Sequence, residues 1–281
     1  CIRDRTKWTY NTKIPSYGAT GWWDKSAYKE GMVLGDIWGL QFDRFLTEDD
    51  FNADGSLKAG LPDQTKVFPA GYQFAPGDVL YKDLDNNGEI VKQTNTNDKG
   101  DLSVIGNALP RLQFGLNLDA AWKGFDISMF FQGVAKRKLW AAGNQVLPGF
   151  TTGEPFYKGA EDYWTPENTD AFYPRPMDYK QSASGNYSVN DRYLLNMAYL
   201  RLKTFTVGYS LPKVWLSKFK VQGLRVYFTG ENLFTIDGVK PAIDPEIGIR
   251  TASGKSDQRN FGRSYPYQKT CLLYTSDAAD D

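Results

Sequence analysis

The sequence contains no histidine, which removes the commonest general base and the commonest metal ligand. Cysteine is nearly absent: Cys1 and Cys271 stand near the two ends of the chain and say nothing about redox compartment. Neither charge is in excess, with 33 Lys and Arg against 33 Asp and Glu. No basic patch points to nucleic acid, and none is expected as a partner. No run approaches the ~18–20 consecutive apolar residues of a membrane-spanning helix, which leaves strands as the only means of crossing a bilayer. There is no G-x-S-x-G turn, phosphate-binding loop or Cys/His cluster. Glu161-Asp162 and the pair Asp244 and Glu246 are the type of group that hydrolyses glycosides. Nothing in the sequence sets their separation, so a solvated surface is expected for them and no catalytic role.

The ends are unusual. The chain opens Cys1-Ile2-Arg3-Asp4, with neither an initiator Met nor a secretory leader, and is expected to be a fragment. Residues 271–281 resemble a translated sequencing-library adapter and are expected to be a non-native tail.

What the sequence does have is aromatic side chains, 15% of the total, with 27 glycines in a chain that is polar on average. That combination suits a barrel with aromatic girdles outside and a wet interior.

Alternation supports this. Leu112, Phe114, Leu116, Leu118 and Trp122 fall on one face of a strand, while Arg111, Gln113, Asn117 and Asp119 fall on the other. Lys123-Gly124 then reads as a tight turn. The return strand places Phe125, Ile127, Met129 and Phe131 opposite Asp126, Ser128 and Gln132, broken only by Phe130. In residues 199–211, Phe205, Val207, Tyr209 and Leu211 keep step, but Leu200 and Leu202 have the opposite parity. A bulge or register change near Lys203 is therefore expected. Residues 212–219 read as a longer turn with room for one helical turn. A further strand alternates Leu224, Val226 and Phe228 with Arg225, Tyr227 and Thr229, and a last one is expected from about Tyr265 to Thr270. Short turns thus alternate with long polar segments at 32–108, 135–197 and 235–264, the asymmetry of outer-membrane barrels. A soluble sandwich has turn signals every 8–12 residues instead.

Two segments are open to a functional or a bland reading. Asp83, Asp85, Asn87 and Glu89, with Gly88, match the first half of a calcium loop, but the position of the bidentate carboxylate is Thr94. A polar turn without metal is the alternative; Asp98 or Asp101 substitutes only if the loop bulges outward. Trp140, Phe150, Phe156, Tyr157, Tyr163, Trp164, Phe172 and Tyr173 enrich the 135–197 segment. Trp140, Phe156, Tyr157, Tyr163 and Trp164 are the candidates for contacting a substrate or partner; packing the loop's own core is the alternative.

Several stretches, in order, resemble a known family. They are Glu30-Gly31 through Gly35-Asp36-Ile37-Trp38-Gly39-Leu40 to Asp43-Arg44-Phe45; Pro76-Gly77-Asp78-Val79-Leu80-Tyr81-Lys82-Asp83; and Val104-Ile105-Gly106-Asn107. The hairpin from Phe114-Gly115 to Phe130-Phe131-Gln132-Gly133 follows, then Trp164-Thr165-Pro166-Glu167-Asn168, Tyr199 to Lys203, Gly208-Tyr209 and Gly230-Glu231-Asn232-Leu233-Phe234. In this the chain is similar to the SusC/RagA-like TonB-dependent transporters of Bacteroidota. The resemblance implies an all-β fold: residues 1–270 would be the C-terminal portion of a large antiparallel transmembrane barrel of about 22 strands, with long extracellular loops. It also implies import of oligosaccharides or peptides, energised by TonB, with a SusD-like surface lipoprotein as partner and outer-membrane lipid around the wall. Lumen-facing candidates are then Arg111, Gln113, Asn117, Asp119, Asp126, Ser128, Gln132, Arg225, Tyr227 and Thr229. The insertion from Val91 to Lys99 departs from the family pattern and weakens the calcium reading. The competing expectation is a soluble, secreted β-sandwich that binds glycans.

Overall fold

A computed structural model describes residues 33, 35–92, 99–141, 146–150, 158–177, 185–217, 221, 223–240, 243–246 and 268–277. Its strands are β1 (Asp36–Gly39), β2 (Phe42–Phe45), β3 (Val79–Tyr81), β4 (Ser103–Asn107), β5 (Leu112–Trp122), β6 (Phe125–Ala135), β7 (Lys138–Leu139), β8 (Leu195–Asn196), β9 (Tyr199–Ser210), β10 (Leu224–Asp237) and β11 (Thr270–Asp277). Among the described residues helix is almost absent: one turn, α1 (Lys213–Leu216), and two short 3-10 segments. The fold is therefore all-β.

Five long antiparallel strands form one sheet in the order β11-β10-β9-β6-β5. The sheet is open, with β5 and β11 as its edges, and is not a closed barrel. β5 and β6 form the hairpin expected from the alternation, with Trp122 opposite Phe125. Lys123 and Gly124 both take positive φ, 49° and 88°, as a type I′ turn demands. One step up the sheet, Phe130 pairs with Thr204 and Phe131 with Leu202, so Lys203 is bulged out of the ladder. The shift lies where the parity change predicts it. Because of it, Leu200 and Leu202 point the same way as Phe205, Val207 and Tyr209. A matching irregularity in β10 lies between Glu231 and Phe234, where Asn232 takes a φ of 52°.

Each of β5, β6, β9 and β10 consequently has one apolar and one polar face. The apolar face is bare: Trp122 is 70% exposed, Ile236 62% and Leu116 49%. β11 is an exception. Residues 265–267 of the expected last strand lie outside the described residues, and the strand observed runs from Thr270 to Asp277, past its expected end. Register places Leu272 and Tyr274 on the polar face and Leu273 on the apolar one, so the side chains do not sort as they do in its neighbours. The pairing itself needs only backbone groups, which the edge of β10 offers to any extended segment.

The described parts of the long polar segments pack against one another. Together they build a body at one end of the sheet, opposite the Lys123-Gly124 turn, around two apolar clusters. One contains Ile37, Trp140, Leu147, Tyr173, Tyr193 and Met197. The other contains Leu40, Phe45, Val67, Val79, Tyr81, Ile90 and Trp164. Asp78, fully buried, joins three distant stretches of this body. It accepts from Tyr72 Oη at 2.8 Å, Arg175 Nε at 2.8 Å, Asn186 Nδ2 at 2.9 Å and Ala75 N at 2.9 Å. A buried carboxylate is tolerated when it is paired and saturated in this way. Gly77, at φ +90°, lies flat under Trp164, whose ring would sit 2.4 Å from a Cβ there. No other residue type fits that position.

Candidate functional site

The polar face of the five-stranded sheet gathers most of the candidates that the alternation picks out. Register aligns Asp119, Ser128, Thr206 and Thr229 in one row across four strands. Neighbouring rows hold Asp126, Gly208 and Tyr227, and Gln132, Arg201 and Thr235. Gln113, Asn117 and Arg225 lie on the same face by parity. Arg111 precedes β5, and its guanidinium lies 4.0 Å from the Asp36 carboxylate, so it faces the loop body rather than the row.

Two contacts knit this face. Arg225 donates to Asp126 through Nη2 at 2.5 Å and Nε at 3.2 Å, with its guanidinium 4.9 Å from the Tyr227 ring. Thr206 and Thr229 share a hydroxyl hydrogen bond of 3.1 Å.

Where the sheet meets the loop body, the polar face carries a buried ionic cluster. Arg201 donates to Asp244 at 2.7 Å and to Glu246 at 2.9 Å, while the bulged Lys203 donates to Glu246 at 2.7 Å. The side chains of Arg201, Asp244 and Glu246 are 5%, 4% and 8% exposed. This corrects the expectation of a solvated Asp244 and Glu246: the 243–246 segment folds back onto the sheet, and cations already on the wall neutralise both carboxylates. Both acids are held in these ion pairs, an arrangement that positions a segment rather than one poised for acid–base work. Sequence reasoning missed Arg201 and Lys203 as the partners of Asp244 and Glu246; the one available signal was the parity break at Lys203.

Beside the cluster lies a groove of about 750 Å³, lined among others by Gln113, Phe130, Gln132, Tyr199, Lys203 and Glu246. That volume falls within the range of about 300–1,000 Å³ typical of small-ligand sites.

The acidic turn differs from its sequence reading. Asp83, Asp85 and Asp101 bring carboxylate oxygens within 4.8 Å of one another. Glu89 instead turns to an ion pair with Lys66, and Asn87 Oδ1 accepts from the Glu89 amide at 2.7 Å. Of the four calcium candidates, only Asp83 and Asp85 belong to the cluster. Asp101 accepts from the Leu84 and Val91 amides, both at 2.8 Å, and Asp83 from those of Asn86 and Gly88. The donation from Gly88 holds the Asp83 carboxyl below its ordinary range, while desolvation pushes Asp85 up. Hydrogen bonds to its own backbone account for the shape of the turn.

The aromatic candidates divide by burial. Trp140 and Trp164 lie inside the two clusters, which corrects their reading as contact residues. Tyr173 packs there too, and burial pushes its hydroxyl up to about 12. Tyr163 is exposed. Phe156 and Tyr157 lie outside the described residues.

No family model matches the chain. The TonB-dependent receptor P3 of Formosa agariphila is 29% identical over 254 residues, covering 87% of the chain and 22% of the receptor. The TonB-dependent receptor P26 of the same organism is 33% identical over 195 residues, 67% of the chain and 18% of the receptor. The chain is homologous to part of a TonB-dependent receptor. The TonB-dependent receptor SusC of Bacteroides thetaiotaomicron is 25% identical over 210 residues, and 20% of its length is covered. The chain thus spans about a fifth of the length of these TonB-dependent receptors. Solved structures of the RagAB peptide importer align with the chain at 16–17% identity and TM-scores of 0.48–0.49, covering 78–88% of the chain and 20–23% of theirs.

Proposed function

We propose that the chain forms part of the wall and outer loops of a TonB-dependent importer in the bacterial outer membrane. In this reading the polar face lines the lumen, the apolar face meets lipid, and the loop body lies outside the cell. The carrying observation is the apolar face itself. Phe114, Leu116, Leu118, Trp122, Phe125, Phe234 and Ile236 are all exposed, a continuous patch that lipid covers and water does not. The strand lengths of 11, 11, 12 and 14 residues reach the roughly 9–11 needed to cross a bilayer. The short connections at 123–124 and around α1 share one end of the sheet, where Trp122 and the pair Phe125–Tyr209, 4.4 Å apart, form an aromatic rim.

The transporter works by binding and release, without covalent chemistry. Its substrates are oligosaccharides or peptides, its energy comes through TonB, and a SusD-like lipoprotein caps the loop body. A soluble β-sandwich would cover the apolar face with a second sheet, and no described residues do so.

The test is protease treatment of intact cells expressing the full-length receptor. Cleavage within 135–197, with recovery of the protein in the outer-membrane fraction, is expected. Recovery as a detergent-free soluble monomer would overturn the proposal.

A further inference from the structure

Asn87-Gly88 is the one Asn-Gly step in the sequence. An asparagine is chemically labile where the next peptide nitrogen reaches its side-chain carbonyl carbon, and a following glycine has no Cβ to hinder that approach. The step lies in the acidic turn, with Asn86 to Glu89 all exposed. Gly88 has a φ of +87°, and beyond its chain neighbours no heavy atom lies within 4 Å of where its Cβ would stand. Water has free access to it.

The turn holds each of the atoms that would react. The nucleophile, Gly88 N, donates to Asp83 Oδ2 at 2.8 Å. The electrophile is the Asn87 amide carbon, whose oxygen accepts from Glu89 N at 2.7 Å and whose nitrogen donates to Asp85 Oδ2 at 3.0 Å. These contacts oppose one another. The bond from Glu89 N draws electron density from the carbonyl and favours attack. The bond to Asp83 favours the protonated Gly88 amide, because a nitrogen anion formed there would face a carboxylate. Asp85 and Asp101, with carboxylate oxygens within 4.8 Å of that of Asp83, add to the repulsion.

We propose that Asn87 is a site of spontaneous deamidation, held in check by the grip of Asp83 on the Gly88 amide. Gly88 N loses its proton to solvent base and attacks Asn87 Cγ. The Cγ–Nδ2 bond breaks, the departing nitrogen takes a proton from water and leaves as ammonia, and a succinimide ring remains. Water then opens either ring carbonyl, giving aspartate or isoaspartate at position 87. Water is the only co-reactant, and nothing is oxidised or reduced. The product changes the turn: a carboxylate stands where Nδ2 donated to Asp85, a fourth negative group beside Asp83, Asp85 and Asp101. Isoaspartate also lengthens the main chain by one methylene, which opposes closure of the turn onto the buried Ile90.

The experiment incubates the full-length receptor in detergent, in warm and mildly alkaline buffer, and follows the peptide containing Asn87 by mass spectrometry. Electron-transfer fragmentation separates aspartate from isoaspartate, and both should accumulate slowly in the parent. Asp83→Ala should raise the rate about tenfold, the scale of one lost hydrogen bond to a charged acceptor. Asp101→Ala removes the acceptor of the Leu84 and Val91 amides but leaves Gly88 N held, so it should stay within about threefold of the parent on the same scale. Exchange of the Ile90 amide, which donates to Asp63 O at 2.7 Å, shows whether the base of the turn stays closed in each variant. If Asp83→Ala loses that protection, Asp83→Asn, which keeps an acceptor and drops the charge, takes its place with an expected gain of about threefold. An Asn87 that stays intact in the parent and in every variant overturns the proposal. So does an Asp83 variant that reacts at the parent rate, or equal acceleration in the Asp101 variant, which would make loosening of the turn the cause.

Discussion

Asp126 on β6 and Arg225 on β10 form an ion pair across an intervening strand, over the bare Cα of Gly208 on β9. A Cβ on Gly208 would lie 2.8 Å from Arg225 Nε and Nη2 and from Asp126 Oδ1. The glycine of the Gly208-Tyr209 pair is thus the gap that lets two charges of the polar face meet.

Gly208→Val is expected to separate the pair without unfolding the sheet, because the crowded atoms belong to flexible side chains. Since the partners are 39% and 34% exposed, solvent screens the pair and their coupling is modest. A double-mutant cycle of Asp126→Asn and Arg225→Gln should measure that coupling in the parent and find it near zero in Gly208→Val.

Leu118 and Asn117, side by side in mid-β5, point to the apolar and the polar face of the sheet, so on the transporter reading one meets lipid and the other water. Leu118→Arg puts a charge in the middle of the apolar face and should cost about 2–4 kcal/mol in a membrane, while Asn117→Arg on the polar face should be tolerated. The yield of assembled protein in the outer membrane reads the difference. Equal yields would mean that Leu118 faces water.

Asp50 gives a pH dependence with a definite sign. The bidentate hydrogen bonds from Arg44, at 2.5 and 2.7 Å, hold its carboxyl near 2, below the ordinary 3.8. The stabilisation is complete above about pH 4 and is lost as the pH falls toward 2. The shift corresponds to about 2 kcal/mol at most, nearer 1 because the Arg44 side chain is 42% exposed. Thr47 N donates to Asp50 at 2.8 Å, so protection of the Thr47 amide from hydrogen exchange should fall through that window and be unprotected at all pH values in Asp50→Ala.

Lys123 occupies a left-handed position at φ 49° that Asn tolerates better. Lys123→Asn should stabilise the hairpin by about 0.5 kcal/mol, seen as a higher urea midpoint for unfolding.

The sheet was legible because its signal is local. Leu112 to Trp122, Lys123-Gly124 and Phe125 to Phe131 are read from spacing alone, and the parity flip between Leu202 and Phe205 marks the bulge at Lys203. The contacts that define the site were not legible. Asp126 and Arg225 stand 99 positions apart in the chain, and only the insertion of β9 between their strands brings them together. Asp244 and Glu246 look like any exposed acids until the fold places Arg201 beneath them. The same holds for Trp164 and Tyr163: adjacent and both aromatic, one is buried and the other exposed because a single cluster sits on one side of that segment. β11 lies outside the alternating pattern altogether, and its side chains offered nothing to read.

The links made by Asp78 also set an order of events. The β5–β6 hairpin closes over a two-residue turn, so it needs nothing beyond its own sequence. The loop body cannot close until Arg175 and Asn186, 97 and 108 residues downstream of Asp78, have found it. Contacts of such long separation are slow to form. The wall should therefore take shape while its outer cap is still open, and a substitution at Asp78 should delay closure of the cap without slowing formation of the hairpin.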